Sequence, residues 1–422
     1  MSNALKLGDV AVVKGGSGFP EKYQGGSHGL PFIKVSDMNL PGNQRYIWKS
    51  NNYLNTTVYN LLKPTVFPRD TVVFAKVGAA VYLNKRRILT EDTAIDNNLM
   101  GVTATAIEPL FLYYLLQSID LAEWVQPGAL PSINQTIIEA LPIPITDRKQ
   151  QRYICEVLNA VDNQIDATQA LIDKYTAIKQ GMMVDLFSRG IDPETKALRP
   201  TFEEAPELYH ETSLGMLPKA WKVKTLREYT TRLEQGWSPD CESEPAFEGE
   251  WGVLKTSAVV WEGYLPGENK RLPRKLKPKD KYEVYPGDVL ITRAGPGSRV
   301  GVVAFVNTTP KRLMLSDKLY RLRFDSRLDG MFASYLLSCE LVQSQLNKVK
   351  TGLAESQANI SQEIVMSLRI AVPNADEQKV ITNKIRSAEN YLNLEREHLD
   401  KLLAQKAGLM QDLLTGKVPV PA

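Results

Sequence analysis

The chain has 422 residues, enough for two or three domains with a core in each. With 43% hydrophobic residues, 23% charged residues and a formal net charge of +3, it is neither disordered, collagenous nor a polycation, so any nucleic-acid surface has to be local. The richest apolar run, 110–116, is bounded by Glu108, Pro109 and Asp120 and falls far short of the roughly 20 residues a membrane span needs; with no export-like N-terminal segment, the protein is expected in the cytoplasm. Cys155, Cys241 and Cys339 are too scattered for a disulfide framework, and His28, His210 and His398 for a zinc site or a Ser/His/Asp arrangement.

In chain order, residues 1–147 read as a mixed α/β region. Lys34-Val35-Ser36 sits near its start, and the turn Val66-Phe67-Pro68-Arg69-Asp70 leads into a β-branched strand over 71–74. Lys76 and the triplet Lys85-Arg86-Arg87 follow, then a short helix over 111–125 and a glycine-containing loop over 126–134. Leu141-Pro142-Ile143-Pro144 feeds a long helix over 148–188, whose apolar seam is Ile154, Leu158, Val161, Ile165, Ile172, Tyr175, Met182 and Leu186. Residues 189–220, broken by Pro193, Pro200, Pro206 and Pro218, read as a linker.

A second mixed region, 221–373, resembles the first in outline. Lys255-Thr256-Ser257 echoes the early Lys-Val-Ser, and Val284-Tyr285-Pro286-Gly287-Asp288 echoes the turn before a strand over 289–292. A helix over 331–348 and a loop over 351–361 lead to a second long helix within 374–417 and a tail, 418–422. Its seam is Ile381, Ile385, Ala388, Leu392, Leu399, Leu402, Leu409 and Leu413.

The decisive pattern is an internal repeat. A shift of 227 residues lays 132–190 over 359–417 without a gap. Ile133, Gln135, Leu141, Gln151 and Ile154 then meet Ile360, Gln362, Leu368, Gln378 and Ile381, while Lys179, Gly181 and Asp185 meet Lys406, Gly408 and Asp412. Each long helix is about 60 Å at about 1.5 Å per residue and carries an apolar stripe that needs covering. Each helix packs on its own module or the two pair with one another; antiparallel pairing is the expectation. The fold class is accordingly α+β: two similar mixed modules, each followed by a long helix, the helices forming an antiparallel coiled coil with pseudo-twofold symmetry. The modules would then lie at opposite ends, a ruler suited to a target in two separated pieces.

Charge favours a polyanion at the second module, where 222–373 sums to about +5 against about zero for 1–147. Lys270, Arg271, Arg274, Lys275, Lys277, Lys279 and Lys281 crowd one loop, either as a solvated face or as phosphate contacts. Arg293 and Arg299 flank Ala294-Gly295-Pro296-Gly297-Ser298, a place from which an arginine can fork onto guanine; Lys318 and Lys350 are further basic candidates. Gln126, Ser132, Asn134 and Gln135 in one copy, and Gln357, Asn359, Ser361 and Gln362 in the other, can read adenine, hold phosphate or cap the next segment. The candidate DNA contacts of the first module are completed by Lys34, Ser36, Lys76, Lys85, Arg86 and Arg87, and those of the second by Lys255 and Ser257.

The whole pattern resembles the specificity subunit of type I restriction-modification systems. The resemblance is carried by Leu186-Phe187-Ser188-Arg189-Gly190-Ile191-Asp192-Pro193 with Gly215 to Trp221, by Leu413-Leu414-Thr415-Gly416-Lys417, and by Asn359-Ile360-Ser361 leading to Glu377-Gln378. It implies two target-recognition domains that each read half of a bipartite, non-palindromic site in double-stranded DNA, on a chain without catalysis or cofactor of its own. Two methylation subunits carrying S-adenosylmethionine would methylate adenine N6, and restriction subunits using ATP and Mg would translocate and cut. Neither an N/D-P-P-F/Y tetrapeptide nor a Walker motif occurs in the chain. The alternatives are a coiled-coil scaffold with two non-DNA ligand modules and a diverged stand-alone DNA methyltransferase. One departure from the family pattern is Asp147-Arg148-Lys149-Gln150-Gln151, which has no counterpart of Glu377.

Overall fold

The computed structural model describes residues 5–126, 131–144, 147–350, 358–418 and 420. The chain forms two compact units, 1–170 with 396–422, and 171–395.

In the first unit, Ala11–Gly15, Leu99–Ala104, Val72–Ala75, Arg86–Leu89 and Tyr46–Ile47 form one sheet in that order. Its pairs are antiparallel except for the last, which is parallel. A second sheet runs Tyr53–Leu54, Leu30–Ile33, Thr93–Ile95, Val66–Phe67. In the second unit the main sheet runs Thr230–Gln235, Leu319–Phe324, Val289–Thr292, Val303–Phe305, all antiparallel, and a smaller one runs Asn269–Arg271, Gly252–Leu254, Leu313–Met314. Where the sequences have diverged, the first four strands of the first main sheet correspond in order to the four of the second, and Tyr53–Leu54, Leu30–Ile33 and Thr93–Ile95 correspond to the three strands of the smaller sheet, with the same antiparallel and parallel pairs. The β-branched central strands, Val72–Ala75 and Val289–Thr292, are buried along their whole length, which is why they read as unbroken apolar runs.

Glycine is required at one matched position. The first strand of each main sheet leads into Gly16 or Gly236, where a Cβ would lie 2.2 Å from the Asp96 carbonyl oxygen or 1.9 Å from that of Leu315. The next residue repeats the same bond in each copy: Ser17 N donates to Ile95 O (2.9 Å) and Trp237 N to Leu315 O (3.0 Å).

Two sequence expectations need correction. The turn before the central strand corresponds one residue differently from the sequence echo: Leu89 N donates to Thr71 O as Val306 N does to Asp288 O, so Asp70 (φ 66°) matches Gly287 (φ 95°) at the left-handed position. The helices expected over 111–125 and 331–348 are each broken, into Pro109–Ser118 and the 3₁₀ turn Leu121–Trp124, and into Gly330–Ser338 and Glu340–Lys350. At both breaks a serine hydroxyl, Ser118 or Ser338, bonds back to a carbonyl of the preceding turn and competes with continuation of the helix.

The long helices are Arg148–Ser188 and Ala375–Leu414. Within the first unit Ile154 and Leu158 share a core with Leu413 and Leu414. Within the second, Leu186 and Phe187 share one with Ile381 and Ile385, and the Tyr175 and Tyr391 rings lie 4.5 Å apart. In each unit the early part of one helix therefore lies against the late part of the other, an antiparallel pairing. The seam residues named above are buried or half-buried throughout.

The repeat's shared polar residues are explained by bonds made twice. Gln151 accepts from Glu108 N and Gln378 from Asp329 N, both at 2.9 Å, tying the start of each long helix to the entry of the preceding short one. The shared lysines close a three-part contact. In the first unit Tyr114 donates to Asp162 (2.9 Å), and Lys406 Nζ lies 2.7 Å from the other carboxylate oxygen. In the second, Tyr335 donates to Glu389, whose other oxygen lies 2.6 Å from Lys179 Nζ. Burial, then the neighbouring carboxylate, pushes both phenols above their ordinary range, keeping them donors.

The segment read as a linker is folded where it leaves the first helix. Gly190 (φ 65°) turns the chain so that Arg199 reaches Glu377 with both Nη atoms, while Ile191 N and Trp221 Nε1 donate to the same carboxylate at 2.8 and 3.2 Å. A Cβ on Gly190 would fall within 2.5 Å of Glu377, Arg199 and Trp221 atoms, so the Arg-Gly-Ile of the family-like run is the wall of this buried pair. Beyond it a hairpin, Tyr209–Thr212 with Gly215–Pro218, leads into the second module.

Candidate nucleic-acid interface

The two modules place one candidate residue at the same point. Lys76 and Arg293 each follow the central strand. Their backbones make matching bonds: Lys76 N to Asn98 O and Arg293 N to Lys318 O (both 2.9 Å), with Ile133 N donating to Lys76 O and Ile360 N to Arg293 O (both 2.9 Å). The segment ahead of each long helix is thereby drawn beside the strand end, bridging Ser132 to Val77 in one module and Asn359 to Ala294 in the other. The backbone is constant and the side chain differs. Arg293 Nη2 donates to Asn359 Oδ1 (2.9 Å), Nη1 donates to Asp317 O (3.1 Å), and the guanidinium lies 5.4 Å from the Tyr320 ring centre. Arg293, Asn359 and Lys318 are thus one cluster, Lys318 being exposed beside Asp317. Exposed Ser298 lies on the turn Gly297–Arg299, while Arg299 is half-buried and donates to Thr256 O (3.3 Å).

Other candidates serve the fold. Arg86 is buried, donating to Ile119 O (2.8 Å) and Asn84 Oδ1 (3.1 Å) above the Phe74 ring, and desolvation lowers its pKa to about 10. Arg87 gives its guanidinium to Met38 O and Arg86 O. Of that triplet, Lys85 alone reaches an exposed partner, Asn39. Asn134 and Ser361 take the capping alternative, accepting from Ile137 N (2.9 Å) and Ile364 N (3.2 Å). Gln135 bonds Glu139, and Gln362 and Gln126 are exposed. Lys34 bonds Gln24 (2.9 Å) beside exposed Ser36. Ser257 donates to Glu268, which also lies 3.8 Å from Lys255 Nζ. Gln357 lies outside the described residues.

In the basic loop, Arg271 is neutralised by Glu242, Glu244 and Glu250, whereas Lys275 and Lys277 are exposed and Lys279 lies 4.0 Å from the Trp237 ring centre. Lys350 is half-buried, and desolvation lowers its pKa. Of the seven basic residues in the loop, Arg271 is half-buried among its carboxylates and the other six are exposed.

Sequence reasoning missed a buried network in the second module. Arg321, on the strand beside the central one, joins Glu234 and Asp288, and Arg323 joins Asp288 again. The alternation Tyr320-Arg321-Leu322-Arg323 behind Asp288 was the available signal. Exposed Tyr82 and Leu83, on a 3₁₀ turn between Lys76 and Lys85, were also passed over. Among the described residues no group of three or more His, Cys, Asp or Glu is arranged to hold a metal ion, and no helix is long and apolar enough to cross a membrane.

Residues 2–176 and 218–404 match the family described as "Type I restriction modification DNA specificity domain". The EcoEI specificity subunit of a type I restriction enzyme from Escherichia coli is 34% identical over 291 residues, which cover 62% of this chain and 49% of that protein, so the match spans about half of the relative's length. The MjaVIII specificity subunit from Methanocaldococcus jannaschii is 25% identical over 331 residues, covering 74% of this chain and 71% of that one. In fold, the crystal structure of the type I restriction-modification S subunit from M. genitalium superposes with a TM-score of 0.58 at 13% identity, covering 100% of this chain and 98% of that one. With both halves matched, the chain belongs to the specificity-subunit family of type I restriction-modification systems.

Proposed function

We propose that the chain is the DNA-reading component of a type I restriction-modification complex. Each module reads one half of a bipartite, non-palindromic duplex site, and the paired helices hold the gap between the halves. Two methylation subunits and the restriction subunits supply S-adenosylmethionine, ATP and Mg chemistry. The observation that carries this reading is the matched strand end: one backbone arrangement, made twice, presenting Lys76 in one module and Arg293 in the other. A constant frame with a changed side chain suits two heads that read different bases in the same way. The segments 1–147 and 221–373 are the recognition domains, 148–188 and 374–417 the spacer helices, 189–220 the connection, and 418–422 the tail.

The test is an exchange. Residues 1–147 are replaced by the corresponding domain of another family member, the complex is assembled with its partners, and N6-methyladenine is mapped across the host genome. One half of the methylated motif changes and the other half, with the gap, stays. A change in both halves would refute the assignment of one half-site per module.

A further inference from the structure

The contact of tyrosine, carboxylate and lysine occurs once in each unit with its parts distributed by one rule. The tyrosine comes from the short helix of the module: Tyr114 on Pro109–Ser118, Tyr335 on Gly330–Ser338. The carboxylate comes from the long helix that follows that module, Asp162 or Glu389, and the lysine from the other long helix, Lys406 or Lys179. One carboxylate thus ties a module to both helices. Such a contact resists rotation of the module about either helix, which apolar packing, being non-directional, resists poorly. The surroundings are dry enough for the geometry to matter: the Lys406 and Asp162 side chains are 14% and 6% exposed, those of Lys179 and Glu389 19% and 27%.

The first unit has a reinforcement. Arg45, beside the edge strand Tyr46–Ile47, lies 3.4 Å from Asp162 and donates to Asn159 (2.9 Å) and Asn163 (3.2 Å) on the first long helix.

We propose that these triads are positioning residues for DNA reading. They fix the angle at which each module stands on the helix pair, and so set how strictly the complex demands one spacing between its half-sites. The proposal rests on the bipartite reading above. Because Arg45 backs up the first triad, the second is the more sensitive: Lys179→Met loosens spacing more than Lys406→Met does, and adding Arg45→Met to Lys406→Met removes the difference.

The experiment uses the full chain assembled with its methylation subunits. N6-adenine methylation is measured on duplexes carrying the native gap and gaps one base pair shorter and longer. For Lys179→Met the ratio of off-gap to native-gap methylation is expected to rise about tenfold, the equivalent of 1.4 kcal/mol. The charge exchange Lys179→Glu with Glu389→Lys is expected to bring the ratio back toward wild type. A contact that only held the fold would lower the melting temperature and total activity with the ratio unchanged, and that result overturns the proposal. If Lys179→Met does not fold, Tyr335→Phe, which removes one hydroxyl, is read by the same ratio and the same criterion. A wild-type complex indifferent to gap length overturns the bipartite reading and the triads' role with it. A gap-selective wild type with unchanged variants overturns the triads alone.

Discussion

Replacing Glu377 with alanine is expected to be among the most damaging single changes in the second unit. Its carboxylate is 2% exposed and accepts from both Nη atoms of Arg199, itself 8% exposed, and from Ile191 N and Trp221 Nε1. Without it a guanidinium stays buried with no counter-charge, which costs about 3–5 kcal/mol. Two buried N–H groups lose their acceptor at about 1–3 kcal/mol each where water does not reach them. These losses overlap, so about 5 kcal/mol is the working figure. The internal control is Gln150, which the repeat aligns with Glu377. There Asp147 caps Gln150 N (2.8 Å) and Gln150 reaches back to Asp147 N (3.4 Å), a helix-start contact whose loss in Gln150→Ala costs about 1 kcal/mol or less. Urea unfolding followed by tryptophan fluorescence, with hydrogen exchange over 186–200, reads both. Glu377→Ala should lower the transition of the second unit and strip protection from the Ile191 amide. Equal effects of the two variants, or an Ile191 amide still protected in Glu377→Ala, would refute the reasoning.

Other expectations concern separate parts of the molecule. Gly16→Ala and Gly236→Ala push a Cβ into a carbonyl of the adjoining chain and should each destabilise the unit concerned by about 2–3 kcal/mol; wild-type melting curves would contradict the close approach. Arg293→Ala should relax base preference in one half-site by about 1–3 kcal/mol and Lys76→Ala should affect only the other half, whereas a uniform loss over both halves would argue for phosphate contact. Burial pushes the Cys155 thiol up to about 12 and the Cys339 thiol up to about 11, so at pH 8 both should be labelled slowly in the native protein and quickly after unfolding; rapid native labelling of either would contradict the packing.

Much of the architecture was legible because it is written in short-range periodicity. The seam from Ile154 to Leu186 and its repeat from Ile381 to Leu413 state a helix and its buried face. The shared Lys179 and Lys406 were visible as a repeat, but their partners were not. The carboxylates that meet them sit at the same 227-residue offset, a hint the polar residues offered and the apolar pattern masked.

By itself the sequence determined the number of modules, the two long helices and their apolar seams, since hydrophobic burial is non-directional and follows from spacing along one element. Only the tertiary structure decided which polar groups belong to the fold. Arg86, Arg87, Asn134 and Ser361 had the composition of a DNA surface and serve as internal bonds, while Arg293 and Asn359 were brought together from 66 residues apart. Hydrogen bonds and ion pairs are directional and short-ranged, so their partners are chosen by how distant segments meet in space, which no local pattern encodes.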